Sequence, residues 1–338
     1  MREPAFWYRP RSPLSHVLSP LGVLYGAITA RRMQRTGVDA GIPVICVGNY
    51  HVGGAGKTPT VLALTKLLRE LGETPVVISR GYGGRLKGPV TVDRARHTAT
   101  DVGDEPLMMA SDVPVAVARD RLDGVALAKS QGATVILMDD GFQNPGLFKD
   151  ASLIVIDSER GLGNGRVFPA GPLRAPLQAQ LARTDALVLI GDGRAANDVA
   201  AELAKRDKPE LRARLKPVTA SLTQLLGKRV FAFAGIGDPD RFFRTLRASG
   251  IEVAHARAFA DHHVFSQDEI AALVAEARRE QLTLVTTEKD LARLRGREGV
   301  PDGIVPFAVQ LEFDEPAKLR ELISYHLYKA RERRFSSR

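Results

Sequence analysis

The chain has 338 residues, of which 44% are hydrophobic and 26% charged, with a formal charge of +9 and one cysteine. The length suits two domains, and the composition excludes bulk disorder. A lone Cys46, inside an apolar run, excludes an internal disulfide and reads as a buried strand residue. The positive excess suits an anionic partner, whether nucleic acid, acidic lipid or a phosphorylated substrate, without choosing among them.

The first element is "LSHVLSPLGVLYGAITA", Leu14 to Ala30, which holds no formal charge and is flanked by Arg9, Arg11, Arg31, Arg32 and Arg35. A spanning helix needs about 20 apolar residues. This run is shorter and contains Ser15, His16, Ser19, Pro20 and Gly22, so a clean span is rejected. A signal peptide fits the pattern, but the nucleotide loop that follows argues against export. From the residues alone two readings stay open. One is an interfacial segment with arginines on acidic headgroups; the other is a helix packed on the domain.

From Gly41 onward apolar runs alternate with amphipathic stretches. "IPVICVGN" reads as a buried strand, and "TPTVLALTKLLRELG" as a helix stopped by Gly72. "PVVISRGYGG" is a strand and glycine-rich loop, "VPVAVA" a strand, and "RDRLDGVALAKSQGA" a helix. "TVILMDDGFQ" is a strand ending in two acids, and "ASLIVIDS" and "DALVLIG" are further strands. This alternation predicts an α/β fold whose parallel sheet is covered by helices, with its site at the carboxyl ends of the strands. A polar stretch of mixed charge then leads to a boundary near Leu226 to Lys228. "VFAFAGIGDPDRF" opens a second, smaller α/β unit, which continues through a helix from Gln267, "LTLVTTEKD", a strand "IVPFAVQLEF" and a last helix from about Glu315. The expected division is 1–35 as the N-terminal segment, 36–226 as the nucleotide-binding domain and 227–338 as the C-terminal domain. The basic tail "KARERRFSSR" is expected to fray.

"VGNYHVGGAGKTP" carries the first chemistry. The phosphate-loop pattern G-x-x-x-x-G-K-S/T wants glycine at position 51, where this chain has His51. The physics is otherwise present. Gly53, Gly54 and Gly56, with Ala55 between them, let backbone N–H groups converge on an anion, and a helix starts where its positive end would face it. Lys57 supplies a cation for the β/γ-phosphates and Thr58 a hydroxyl for Mg²⁺. Asp139 and Asp140, at the end of an apolar strand, are the matching acids for Mg²⁺. Val52 stands where partition-type ATPases carry lysine, and "TEKD" lacks the spacer of the GTPase motif N/T-K-x-D, so neither class fits.

Taken in order, "LSPLGVLYGAITARR", "VGNYHVGGAGKTP", "SRGYGG", "VGDEP", "ARDR", "MDDGFQ", "PAGPLR", "FADHH" and "TTEKD" resemble the tetraacyldisaccharide 4'-kinase family, the lipid A 4'-kinases, almost end to end. The resemblance implies ATP and Mg²⁺ as cofactors. It implies transfer of phosphate to the 4'-hydroxyl of an acylated glucosamine disaccharide 1-phosphate, giving lipid IVA. It implies two α/β domains, with the N-terminal segment as a monotopic anchor on the anionic cytoplasmic face of the inner membrane. By motif, Asp104 of "GDEP" and His262 of the "DH" pair form a catalytic dyad, working with Lys57; the sequence does not separate His262 from His263. Arg80, Arg119, Arg121 and Arg174 are candidates for substrate or nucleotide phosphates, because arginine suits bidentate phosphate contact. Tyr82 is a candidate to pack on the sugar, and Glu288 and Lys289 to bridge the domains. Two departures stand out: Asn144 replaces the family's usual histidine after "DDGFQ", and Ala175 its usual glutamate after "PLR". The rival reading is a soluble phosphate-loop kinase for a small molecule. With 6% aromatic residues and scattered arginines, no nucleic-acid partner is expected, and a monomer is.

Overall fold

The apolar runs assemble two sheets in a computed structural model that describes residues 3–9, 12–294 and 303–336. The strands are β1 (Val44–Gly48), β2 (Pro75–Ser79), β3 (Val90–Thr91), β4 (Val115–Val117), β5 (Val135–Asp139), β6 (Ala151–Asp157), β7 (Ala186–Ile190), β8 (Glu210–Pro217), β9 (Arg229–Ala234), β10 (Glu252–Ala258), β11 (Thr283–Thr287), β12 (Val305–Phe307) and β13 (Val309–Phe313). Nine form one sheet in the order β13-β8-β7-β6-β1-β5-β2-β4-β3. Its strands from β8 through β4 are parallel, and β13 and β3 close the edges antiparallel. The other four are parallel in the order β10-β9-β11-β12.

β1, β5, β6 and β7 are buried at every residue, because both faces of the sheet are covered. Successive side chains feed opposite layers: Ile45 and Val47 join one core cluster, Val44 and Cys46 the other. β8 was missed within the stretch read as polar. Leu211 and Ala213 are buried and Leu215 packs half-buried on the same core, while Arg212, Arg214 and Lys216 pair with Glu210, Asp314 and Glu312 at the surface.

Two expectations change at the C-terminus. "IVPFAVQLEF" is not one strand: β12 lies in the small sheet and β13 in the large one, so the chain changes sheets at Ala308. The second sheet therefore ends at β12, short of the expected 227–338 range, since the chain beyond Ala308 returns to the first body. The helix Pro316–Ser336 explains the return, for its Leu319, Ile323 and Leu327 share the core of β1 and the Lys57–Glu70 helix. Nor is the basic tail frayed as far as Ser336. Arg331 bonds Glu73 at 2.7 Å, and Arg334 bonds Asp39 and Asp150, each at 2.9 Å.

The N-terminal run forms a helix, Pro13–Met33, capped by Ser12. Its polarity is the reverse of an ordinary surface helix. Ser15, Gly22, Gly26, Thr29 and Met33 face the body, while Leu14, Val17, Leu21, Val23, Leu24 and Ile28 are exposed. Glycine is needed for this docking: a Cβ on Gly22 would meet Val167 O at 2.8 Å, and one on Gly26 would press on Pro176 Cγ at 3.2 Å. Among the described residues no helix is long and apolar enough to cross a membrane.

Candidate active site

The phosphate loop joins β1 to the helix Lys57–Glu70, and its start is fixed by a device other than glycine. His51 makes an antiparallel bridge to Leu173, Val52 N donates to Pro172 O at 2.8 Å, and Arg174 N donates to Tyr50 O at 2.8 Å. The His51 ring is buried, and burial together with Lys57 and Arg174 depresses its pKa to about 3, so it stays neutral. Gly53 and Gly56 adopt positive φ, 112° and 87°. A Cβ on Gly53 would run into the Glu3 carboxylate, and one on Gly56 into Ile190. Lys57 and Thr58 open the helix and are both buried.

The two acids after β5 have different surroundings. Asp139 accepts a bond from Ser79 Oγ at 3.0 Å, and its Oδ1 is buried with no partner among the described residues. Burial, reinforced by the charges of Glu105 and Asp140, pushes its carboxyl up to about 7. Asp140, at φ 48°, turns toward Arg174 and binds it bidentately at 2.5 and 3.0 Å, with Lys57 Nζ 3.8 Å away. Burial works to raise Asp140, but Lys57 and Arg174 overcome it and hold the carboxyl well below the usual range.

These residues fit a divalent cation. Asp139 has an orphaned oxygen that a cation would satisfy, and an added positive charge would favour the ionised form that burial disfavours. Among the described residues no three His, Cys, Asp or Glu side chains converge to hold a metal alone. The remaining ligands would be phosphate oxygens and water, the usual habit of Mg²⁺. A pH dependence follows. Below about pH 7 cation uptake must displace the Asp139 proton, and above it no proton is displaced. Affinity for Mg²⁺ with nucleotide is expected to rise with pH up to about 7 and then flatten. Calorimetric titration in buffers of different ionisation enthalpy should detect proton release at pH 6 that Asp139→Asn abolishes.

A second constellation forms where the two sheets meet. Asp104 starts the short helix Asp104–Met109 of the first body. His262 comes from the loop after β10, at φ 57°, and its Nδ1 lies 3.1 Å from Asp104 Oδ2. Asp140 and His262 are two of the four non-glycine residues with positive φ among the described residues, a strain that tends to collect at functional sites. Arg293 Nε donates to Asp104 Oδ2 at 2.7 Å, and Glu105 N donates to Oδ1 at 2.9 Å. Burial would raise Asp104, but the bond from His262 and the charges of Lys289 and Arg293 hold it well below the usual range. Lys289 crosses the cleft to Glu105 at 3.0 Å, and Glu288, its carboxyl raised by burial and by Asp112, accepts a backbone bond from Val309 of the large sheet. Glu105 joins the two constellations, because its charge acts on both Asp139 and Lys57. A Cβ on Gly237 of the second body would lie 4.0 Å from Gly54 N, so that body's loop covers the phosphate loop.

Geometry separates the two histidines. His263 stacks on Phe259 at 4.8 Å and bonds Glu269 at 3.0 Å, wholly within the second body. Tyr82 is exposed at the rim, its ring 5.7 Å from that of His262. Arg80 and Arg119 are exposed and make no ion pair among the described residues. Arg121 is buried and donates to Ala118 O at 2.6 Å. Asn144 spends its side chain on a turn, accepting from Gly146 N at 2.7 Å, and Ala175 is fully buried. Sequence reasoning missed Ser79, Glu105 and Arg293. Glu105 follows Asp104 directly, and Arg293 lies three residues beyond Asp290 on one helix, so helical spacing from "TEKD" was a signal for it.

Comparison with known proteins adds to this geometry. The family described as tetraacyldisaccharide-1-P 4'-kinase matches residues 14–328. The chain is 86% identical over 338 residues, all of both chains, to the tetraacyldisaccharide 4'-kinase of Bradyrhizobium diazoefficiens. It is 64% identical to the protein of that name from Rhodopseudomonas palustris strain BisB5, over 99% of this chain and 100% of the relative. Its fold is similar to that of Aquifex aeolicus LpxK, crystallised in complex with ATP. The TM-score is 0.73 at 29% identity, over 93% of this chain and 100% of the other.

Proposed function

Since the chain belongs to the tetraacyldisaccharide-1-P 4'-kinase family it is a kinase, and we propose that it moves the γ-phosphoryl group of ATP to the 4'-hydroxyl of an acylated disaccharide 1-phosphate. The observation that carries this reading is the Asp104–His262 pair, formed across the two bodies beside the Lys57, Asp140 and Arg174 cluster. Bound ATP with Mg²⁺ supplies the transferable group and neutralises its charge. Lys57, Arg174 and the N–H groups of the loop bind the phosphates; Thr58 and Asp139 hold the cation; Asp140 keeps Arg174 and Lys57 aimed. A proton on His262 Nδ1, facing Asp104, leaves Nε2 to accept the proton of the sugar hydroxyl. The hydroxyl oxygen forms its bond to phosphorus as the bond to the departing ADP breaks, with the reactants held in line. Asp104 is fully bonded and already ionised, so it orients and stabilises the imidazolium. Arg80, Arg119 and Tyr82 line the approach of the sugar and its phosphate. The second body, covering the loop, excludes water.

The acceptor is lipid-borne in this reading, and the enzyme works as a monomer at the cytoplasmic face of the inner membrane. The outward apolar face of Pro13–Met33 supports it, with Arg31, Arg32 and Arg35 following for acidic headgroups. A soluble acceptor gives that face no purpose. The test is label transfer from ATP to the acylated disaccharide 1-phosphate, first in detergent and then in anionic vesicles. Detergent activity is expected. ATP turnover without labelled lipid would remove the lipid acceptor from this reading. Replacing Val17, Leu21 and Leu24 by Asp should lower vesicle co-sedimentation by about 100-fold or more, since each apolar side chain is worth about 1.5–3 kcal/mol when fully buried. Detergent activity should stay within a few-fold. Unchanged vesicle binding would mean that the helix is not the anchor.

A further inference from the structure

Arg293 is held inside the second body as well as by Asp104. Its Nη1 donates to Gly235 O and to Asp290 Oδ1, each at 2.6 Å, inside the second body. Asp290 is itself fixed there, accepting from Gly235 N at 3.0 Å and from Thr287 Oγ1 at 2.7 Å. The other edge of the guanidinium points across the cleft. Nε is 2.7 Å and Nη2 2.5 Å from Asp104 Oδ2, and Nη2 lies 3.4 Å from His262 Nδ1. The side chain is 8% exposed, so water screens these contacts little.

We propose that Arg293 is a positioning residue that latches the two bodies, setting the Asp104 carboxylate against His262 only when the cleft is closed. This rests on the reading of Asp104 and His262 as the proton-accepting dyad. A fork already satisfied on one edge by Asp290 loses little freedom on gaining Asp104, which is what preorganisation requires. Closure and assembly of the base then become one event. The other groups facing the pair are Lys289, 3.9 Å from Asp104, Asp261, 3.8 Å from His262 Nε2, and the Tyr82 ring. All of them remain when Arg293 is changed.

The test uses Arg293→Ala, Arg293→Lys, Asp104→Asn and the double variant Asp104→Asn/Arg293→Ala in the full chain, with kcat, KM for ATP and rescue by added guanidinium ion measured. Arg293→Lys keeps a cation on buried Asp290, so it guards against a variant that fails to fold. Either single change at Arg293 should cost about 10–100-fold in kcat, the scale of misplacing a reacting group by about 1 Å, with KM for ATP changed less than threefold. In Arg293→Ala added guanidinium ion should restore part of the rate. In the Asp104→Asn background the Arg293→Ala effect should vanish. Loss in Asp104→Asn with normal kcat in both Arg293 variants would overturn the latch alone. So would an additive double variant, or a rate that guanidinium ion leaves unchanged. Normal kcat in Asp104→Asn would remove the dyad, and the latch with it.

Discussion

Lys57→Ala should lower kcat by about 10²–10³-fold, the scale of removing one preorganised contact to developing charge, and leave the fold intact. Lys57 opens the helix that follows the phosphate loop and is buried, with its ammonium 3.8 Å from Asp140. Deleting one partner of a buried ion pair ordinarily costs about 3–5 kcal/mol, because the other charge is left alone. Asp140 is not left alone. Arg174 still holds both of its oxygens, at 2.5 and 3.0 Å. Alanine in the first turn of a helix carries no propensity penalty. The loss therefore falls on nucleotide phosphates and on the transition state, where charge spreads over the transferring group. Single-turnover label transfer, alongside thermal melting, separates the two effects. A rate within tenfold of the parent, at an unchanged melting temperature, would remove Lys57 from the machinery.

The β-strands that carry the site were legible because they are buried on both faces and read as unbroken apolar runs. β8 was not, because an edge-proximal strand shows one side to the core, Leu211, Ala213 and the half-buried Leu215, among charged residues. The division of "IVPFAVQLEF" between sheets could not be read, since a strand's pattern records its burial and not its partner. Spacing revealed the phosphate loop, yet not why His51 is tolerated, because the bridge to Leu173 depends on a segment 122 positions away. Asp139 and Asp140 look alike as letters. A left-handed backbone at Asp140 separates them, sending one carboxylate to Arg174 and leaving the other with an orphaned oxygen. The dyad came from resemblance alone, for 158 positions separate Asp104 from His262 and no local pattern spans that distance. The N-terminal segment was ambiguous for a physical reason. Its Gly22 and Gly26, which weaken a helix by propensity, are what let it dock, and the apolar residues between them face outward.

Asp104→Asn should cost about 10²–10⁴-fold in kcat, the range of a general-base contribution, and the loss should persist at every pH. Asp104 accepts on both oxygens: Glu105 N at 2.9 Å on Oδ1, and His262 and Arg293 at 3.1 and 2.7 Å on Oδ2. An asparagine can offer its oxygen to only one of these sides and must point an NH₂ donor at the other. Whichever way it turns, donor faces donor in a buried place, and the negative charge that favours an imidazolium is gone. The pH argument has a definite sign. His262, Lys289 and Arg293 overcome burial and depress the Asp104 carboxyl. Its stabilising contribution is therefore present above the unfolded-state value and lost only as pH falls through the lower folded-state value. Asp104 is ionised throughout the neutral range, so a rate loss in that range does not come from its titration and raising the pH cannot repair Asp104→Asn. His262→Gln should lose a comparable factor, and the double variant little more than either single, because the two act as one unit. Additive losses would mean that the residues serve separate steps. A recovery of Asp104→Asn at high pH would mean that another group takes the hydroxyl proton, and that the contact between the bodies at Asp104 serves closure alone.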